Sequence, residues 1–285
     1  MKYFRVSNKT FNGNIPEIGI DILTFCNNRC SYCYNRSYLS SPRFMSEKIL
    51  CSIMCKIIEY KKPVKVVLLG GEPTLHPRLK EIVRRFSEIK NVQCLEVYTN
   101  GRRDIMKTKV LDVLPRDKGI ISFTVHPEYV KYIDVIIKNI SKVIENGFEY
   151  RAYIMFHPSF KEKVFVIEKK LRENSIQYHL TYIYNYKEDE DIYPLNSPKV
   201  YSLNGVPYSI EEIMNNNLNK FKGWNCILDD VGIDINGYVS YPCDRIGSVS
   251  VLDKNFKFEK LIVKCPYDEC PDECRLSQLK YIEEI

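Results

Sequence analysis

The sequence has no window approaching the ~18 uncharged apolar residues that a membrane span needs. Its first residues, Met1, Lys2, Tyr3, Phe4 and Arg5, lack the apolar stretch of a secretion signal. Together these absences make the cytoplasm the expected location. Internal repeats and low-complexity tracts are also missing. With 45% hydrophobic and 27% charged residues over 285 positions, disordered and fibrous architectures are excluded, and one large domain, or one domain with an appendage, fits the length. A concentration of one charge is lacking too. The 42 basic and 36 acidic residues give a formal charge of +6, but they are scattered, and no basic arm or stripe could track a phosphate backbone. Nucleic acid is therefore not an expected partner, and an acidic substrate is permitted without being implied.

Cysteine is plentiful instead. Eleven cysteines form an odd count in a chain with no export signal, which argues against a disulfide framework and points to metal or redox chemistry. Cys26, Cys30 and Cys33 form one tight group, and Cys226, Cys243, Cys265, Cys270 and Cys274 crowd the C-terminal end. Two ligand groups separated by a cysteine-poor body suggest two metal sites. Cys51, Cys55 and Cys94 stand apart, and read as small buried residues.

Short apolar runs alternate with longer helical patterns. Residues 17–24, 64–70, 93–99, 119–125, 149–156 and 176–184 read as strands, rich in Val, Ile, Tyr and Phe and bounded by turn formers. Ser46 can cap a helix in which Ile49, Leu50, Ile53, Met54, Ile57 and Ile58 recur at helical spacing before Lys61, Lys62 and Pro63 end it. Residues 78–88, 103–113, 129–145 and 162–172 repeat that pattern, and Asn146-Gly147 stops the fourth of these in the manner of a left-handed cap. Strand and helix in strict alternation are the signature of βαβ units with parallel pairing. The expected body is an α/β sheet or partial barrel over residues 1–184.

After Tyr184 the regularity ends. Lys187, Glu188, Asp189, Glu190 and Asp191, followed by prolines at 194, 198 and 207, have linker composition, and Ser209 with Glu212 makes a capping box for one short helix. Residues 185–225 are thus expected as linker and short helix, and 226–285 as a cysteine-rich module. Within it, Val231–Ile235 and Tyr238–Tyr241 flank Asn236-Gly237, the strongest short hairpin signal.

Cys26-Asn-Asn-Arg-Cys30-Ser-Tyr-Cys33 follows the first of these predicted strands, at the C-terminal end of the expected parallel sheet, where loops lie over the mouth of the fold. Three soft thiolates this close can hold three irons of a cubane cluster and leave one open, whereas a zinc ribbon would want a fourth ligand from a nearby pair. The C-x3-C-x2-C spacing, with aromatic Tyr32 before the last cysteine, resembles the radical S-adenosylmethionine (SAM) superfamily. The same resemblance continues in Gly70-Gly71-Glu72-Pro73 at the end of the predicted strand 64–70, similar to the GGEP turn whose backbone receives the methionine amino group.

The resemblance implies a partial (β/α)6 TIM-like barrel. It further implies a [4Fe-4S] cluster on Cys26, Cys30 and Cys33, SAM chelated to the open iron, and reductive cleavage to a 5′-deoxyadenosyl radical that abstracts hydrogen from a substrate. Tyr32 resembles the aromatic position beside adenine, Thr99-Asn100-Gly101 the SAM contact after the third of these strands, and Ser122 the ribose-side position. The strand carrying Ser122 departs from the family's usual acidic or Asp-Gly ending by reading Thr124-Val125-His126-Pro127. His126 reads either as a structural turn residue or as a base. No catalytic residue is assigned.

Cys226 and Cys243, with the hairpin between them, and the run Cys265, Cys270, Cys274 suit zinc or an iron-sulfur cluster equally in donor type. The arrangement resembles the SPASM or twitch extension of radical SAM enzymes. Five cysteines, where the double-cluster form needs seven, imply one auxiliary [4Fe-4S] cluster on Cys226, Cys243 and two of the last three. Enzymes of that kind mostly modify peptides or dehydrogenate small alcohols. A peptide is therefore the first expected substrate. The second is a small alcohol of the sort oxidised in aminoglycoside biosynthesis, and the implied electron donor is a reductase, flavodoxin or ferredoxin. A zinc-stabilised binding protein without catalysis is the reading that the GGEP turn argues against.

Overall fold

A computed structural model describes residues 1–6, 15–33, 42–183, 200–241, 249–270 and 278–283. The elements run β1 (Lys2–Val6), β2 (Glu17–Asp21), α1 (Glu47–Tyr60), β3 (Val64–Leu69), α2 (Leu79–Ser87), β4 (Val92–Thr99) and α3 (Ile105–Thr108). They continue with β5 (Gly119–Val125), α4 (Ile133–Glu145), β6 (Glu149–Phe156), α5 (Lys161–Glu173) and β7 (His179–Tyr182). Then come β8 (Tyr201–Leu203), β9 (Val206–Tyr208), α6 (Ile210–Asn215), β10 (Asn225–Leu228), β11 (Val231–Ile233), β12 (Tyr238–Ser240), β13 (Val249–Ser250), β14 (Leu261–Lys264) and β15 (Leu279–Ile282).

Strands β2 to β7 pair in parallel and in sequence order, as successive βαβ units winding one way dictate. The sheet ends at β7 on one side and β13 on the other, so it is an open, partial barrel. Because side chains alternate along a strand, each strand has an outward and an inward set. Outward residues such as Val66, Leu68, Val97, Ile121, Phe123 and Ile154 meet the helices in the main apolar core. The inward set mixes apolar residues such as Val67 and Ile120 with a charged and polar cluster. Lys65 Nζ lies 2.8 Å from Glu17 Oε2 and 2.5 Å from Glu96 Oε2, and Arg151 Nη1 lies 3.5 Å from the same Glu96 oxygen. Ser122 Oγ donates to Glu96 Oε1. Tyr98 and Tyr153 stack in parallel planes, 6.1 Å apart, on the same inner wall.

Helix ends follow the sequence closely. Ser46 caps α1 by accepting the Ile49 N–H, Lys61 closes it in the left-handed region (φ 60), and Ser209 with Glu212 forms the expected capping box on α6. Two helices differ from expectation. The helix expected over 103–113 is α only at Ile105–Thr108, because Lys109 turns left-handed (φ 55) and leads into a 3-10 turn. The one expected over 129–145 starts only at Ile133. Pro127–Tyr132 is a 3-10 turn kinked at Tyr129, whose side chains are drawn to the cysteine loop.

Beyond the barrel, Val231–Ile233 and Tyr238–Ser240 form the expected hairpin, with Gly237 at φ +84 in its turn. Its first strand, β11, pairs in parallel with β2 and extends the barrel sheet. Residues 200–225, read from the sequence as linker and short helix, also carry β8, β9 and the start of β10. A second, antiparallel sheet in the order β14-β10-β15-β1-β8-β9 joins the two ends of the chain, with β1 between β15 and β8. The charge run 187–191 and the prolines at 194 and 198 lie outside the described residues. Among the described residues no helix is long and apolar enough to cross a membrane.

Candidate active site

The three-cysteine loop leaves β2 at its C-terminal end. Cys30 is buried, and Cys26 and Cys33 are partly so. Cys26 Sγ accepts from the Asn28 N–H at 3.3 Å and from Asn100 Nδ2 at 3.7 Å, and Asn100 Nδ2 also donates to Asn27 Oδ1 at 2.7 Å. Burial pushes the Cys26 thiol up to about 11, helped by Glu72 and Cys33. Burial pushes Cys30 up to about 12, with Glu128 and the other two cysteines acting in the same direction. Thiols raised by burial, as Cys26 and Cys30 are, ionise readily only when a cation neutralises them. The donor set therefore fits a cationic metal group. Among the described residues no three His, Cys, Asp or Glu side chains converge tightly enough to hold a single metal ion. Three thiols on one short loop match the three corners of a cubane that protein ligands would hold.

The GGEP turn is pressed against this loop. The N–H groups of Gly71 and Glu72 donate to the carbonyls of Leu23 and Phe25, both at 2.8 Å. A Cβ on Gly70 (φ +119) would sit 2.2 Å from Leu23 O, and one on Gly71 2.0 Å from Phe25 O, so neither position admits a side chain. Pro73 starts a 3-10 turn. The Glu72 carboxylate, 1% exposed, faces the protein, accepting from Thr74 N–H, Thr74 Oγ1, Thr99 Oγ1 and Asn100 N–H at 2.5–3.2 Å. Burial raises its pKa against the pull of these donors. Glu72 is thus a strut between the ends of β3 and β4, and what the turn offers a ligand is its backbone.

Tyr32 lies between the His126 ring (5.9 Å, stacked) and the Phe160 ring (5.8 Å, edge-on), and its hydroxyl meets His126 Nδ1 at 2.9 Å. Burial pushes His126 down to about 4, so the ring is neutral, and its Nδ1 shares a hydrogen bond with the Tyr32 hydroxyl. Between turn and base, the two readings left open by the sequence, the geometry assigns His126 a third task, that of holding Tyr32. Ser122 is fully buried, and its hydroxyl is committed to Glu96.

In the C-terminal module Cys226, Cys265 and Cys270 are buried thiols. Cys265 exchanges main-chain hydrogen bonds with Gly223 and Trp224 at 2.7 Å, and the Cys270 N–H donates to Asn219 O at 2.9 Å. The structure thereby gathers the 265–270 run beside the segment that leads into Cys226. Cys243 and Cys274 lie outside the described residues. Of the three isolated cysteines, Cys94 and Cys51 are partly buried, but Cys55 is exposed, because α1 turns Ile53, Met54, Lys56 and Ile57 inward.

Sequence reading missed Glu96, Lys65, Arg151, Arg102 and Glu128. For Glu96 and Arg151 a signal existed, since each is a charge in mid-strand among apolar residues.

An open parallel barrel carrying a three-cysteine loop and a GGEP turn on its C-terminal rim defines a SAM-dependent iron-sulfur enzyme. The family model of the radical SAM superfamily matches residues 20–166, just over half of the chain. The chain belongs to the radical SAM superfamily, whose members use a [4Fe-4S] cluster and SAM. Curated relatives include a GTP 3′,8-cyclase of Limosilactobacillus fermentum, 34% identical over 121 residues (41% of this chain, 36% of the relative). A probable GTP 3′,8-cyclase of Pyrococcus horikoshii is 30% identical over 139 residues (46% and 44%). The chain therefore spans less than half the length of these relatives. Among solved structures, Streptococcus suis SuiB bound to SAM is similar at a TM-score of 0.58 and 15% identity, over 85% of this chain and 64% of that one. Native anSMEcpe with bound SAM and a Cp18Cys peptide reaches 0.55 at 14% identity, over 81% and 74%. At such identities the likeness concerns the fold.

Proposed function

We propose that this chain cleaves SAM reductively and modifies a peptide. Cys26, Cys30 and Cys33 would hold the SAM-binding [4Fe-4S] cluster, and Cys226, Cys243 and two of Cys265, Cys270 and Cys274 an auxiliary one. When bound and reduced, the first cluster supplies homolysis of the SAM sulfonium bond and a 5′-deoxyadenosyl radical that takes hydrogen from substrate. The single observation carrying the reading is that the cysteine loop, Gly70–Pro73 and Thr99–Gly101 meet on one rim, cross-linked by Glu72 and Asn100. In this reading the backbone of Gly70 and Gly71 receives the amino group of SAM, and Tyr32, held by His126, lies against adenine. Ser122, whose hydroxyl donates to Glu96, would lie on the ribose side. The auxiliary cluster would accept the electron left on an oxidised substrate. Electrons would enter from a flavodoxin, ferredoxin or reductase in the cytoplasm.

Peptide modification is supported by the cysteine-rich module beside the barrel and by fold relatives that were solved with peptides. The second reading, a purine nucleotide substrate, has its support in the GTP 3′,8-cyclase relatives. Against it, the barrel's inward cations Lys65 and Arg151 are already paired with Glu96, so they are not free for a triphosphate. The small alcohol remains the reading to test third.

The test is anaerobic reconstitution followed by dithionite and SAM. Release of 5′-deoxyadenosine by the wild type and none by Cys30→Ala is the expected result, and equal release by both would refute the site. Mass spectrometry with short peptides encoded beside the gene, with GTP and with aminocyclitols then separates the substrate classes.

A further inference from the structure

The segment after β5 serves the cysteine loop residue by residue. Glu128 accepts the Ser31 N–H on Oε2 at 2.9 Å and the Ser31 hydroxyl on Oε1 at 2.8 Å. Tyr129 Oη accepts the Arg29 N–H at 2.5 Å, and His126 Nδ1 meets the Tyr32 hydroxyl at 2.9 Å. From the end of β4, Arg102 stacks on Tyr132 at 3.9 Å and donates to Asn27 O at 2.7 Å and Asn28 Oδ1 at 2.6 Å. Asn27, Asn28, Arg29, Ser31 and Tyr32 are all held, and Asn28 and Tyr32 also bond the sulfurs of Cys26 and Cys30.

Glu128 is the centre of this clasp. It reaches between Cys30 and Cys33, where the Cys33 N–H already donates to Cys30 O at 3.2 Å, and takes two donors from the one residue inside that tight turn other than Tyr32. Bonds to a carboxylate are roughly twice as strong as neutral ones, and two to a single residue fix both its backbone and its side chain. The negative charge itself opposes ionisation of Cys30, so what Glu128 contributes to ligation is geometry. A loop left unrestrained would lose about 1–2 kcal/mol of backbone entropy per residue on ordering around a ligand. The clasp removes much of that cost beforehand.

We propose that Glu128 is a positioning residue that presets the Cys30–Cys33 turn before any cluster is assembled and so holds Tyr32 in place for SAM. The part concerning SAM rests on the function proposed above, whereas the part concerning the loop does not.

Hydrogen exchange on the metal-free full-length chain tests the loop directly. In Glu128→Ala the peptide spanning 26–33 should exchange about tenfold faster or more, with the rest of the barrel unchanged. Glu128→Gln, which keeps one acceptor oxygen, should fall between. In the reconstituted chain, the change in electron paramagnetic resonance on adding SAM to the reduced cluster should require roughly tenfold more SAM in Glu128→Ala. Ser31→Ala, which removes one donor from the opposite side, should shift both readouts in the same direction, and decides the matter should Glu128→Ala fail to fold. Equal exchange of 26–33 in wild type and variants overturns the clasp. Faster exchange with unchanged SAM titration overturns its link to SAM. A wild type that binds no iron overturns the proposed function alone, because the exchange result still stands.

Discussion

Glu72 Oε2 accepts the main-chain N–H of Asn100 at 2.6 Å, and through that bond the turn after β3 and the turn after β4 move as one piece. Asn100 in turn reaches Asn27 and Cys26, so a fully buried carboxylate sits one residue removed from the cysteine loop. Replacing Glu72 by Ala would leave the buried donors of Thr74, Thr99 and Asn100 without their acceptor. Urea unfolding should show a loss of about 3 kcal/mol. A loss below about 0.5 kcal/mol would mean that Glu72 is no strut.

The two glycines of the turn should differ sharply from a glycine in open space. Gly71→Ala places a methyl where Phe25 O stands 2.0 Å away, while a Cβ on Gly223 (φ +80) meets nothing within 4 Å. Gly71→Ala should therefore lower SAM cleavage at least a hundredfold, in keeping with about 1 Å of misplacement. Gly223→Ala should cost only about 1 kcal/mol of stability, from its backbone conformation. Comparable cleavage rates in the two variants would contradict the close packing of turn and loop.

The charge network inside the barrel predicts a non-additive pair. Lys65→Met strips the nearest cation from Glu96, which is 0% exposed, leaving only Arg151 at 3.5 Å. Breaking a buried pair in this way typically costs about 3–5 kcal/mol. Adding Glu96→Gln removes the stranded charge, and the double variant should be more stable than Lys65→Met alone. Strict additivity in denaturant titrations would show the network to be energetically silent.

Acid should destabilise the fold through its histidines. His76, buried with Nδ1 accepting from the Arg78 N–H at 3.1 Å, is pushed down to about 4 by burial. In the unfolded chain it titrates near 6.5, so between those values the unfolded state binds the extra proton. The contribution is present above pH ~6.5 and lost as pH falls toward ~4, at most about 3 kcal/mol. His126 acts in the same direction. Thermal unfolding of His76→Gln should show a shallower fall across that range than the wild type, and identical slopes would exclude His76.

The two cysteine groups are separable by iron content. A chain with Cys26, Cys30 and Cys33 all changed to Ala should retain about four irons and the brown colour of a cubane, because the C-terminal thiols are intact. One zinc in a colourless protein would instead leave a structural metal site in that module.

Much of the molecule is determined by its sequence alone. The strand runs with their alternation, Ser46 and Lys61 bounding α1, the capping box of Ser209 and Glu212, and the Asn236-Gly237 turn are local effects, set within a few residues and therefore readable from them. So too are the cysteine spacing and the GGEP turn, since Gly70 and Gly71 answer to a backbone approach that only glycine tolerates. The rest depends on partners distant in the chain. That β1 belongs with β15 and β8, and that β11 lies beside β2, follows from pairings across more than 190 positions, for which a short strand carries no address. The predicted start of the helix after β5 gave way to a 3-10 turn because Glu128 and Tyr129 bind Ser31 and Arg29, about a hundred residues earlier. Helix propensity is worth tenths of a kilocalorie per residue, and the two charge-assisted bonds from Glu128 to a half-buried Ser31 outweigh it.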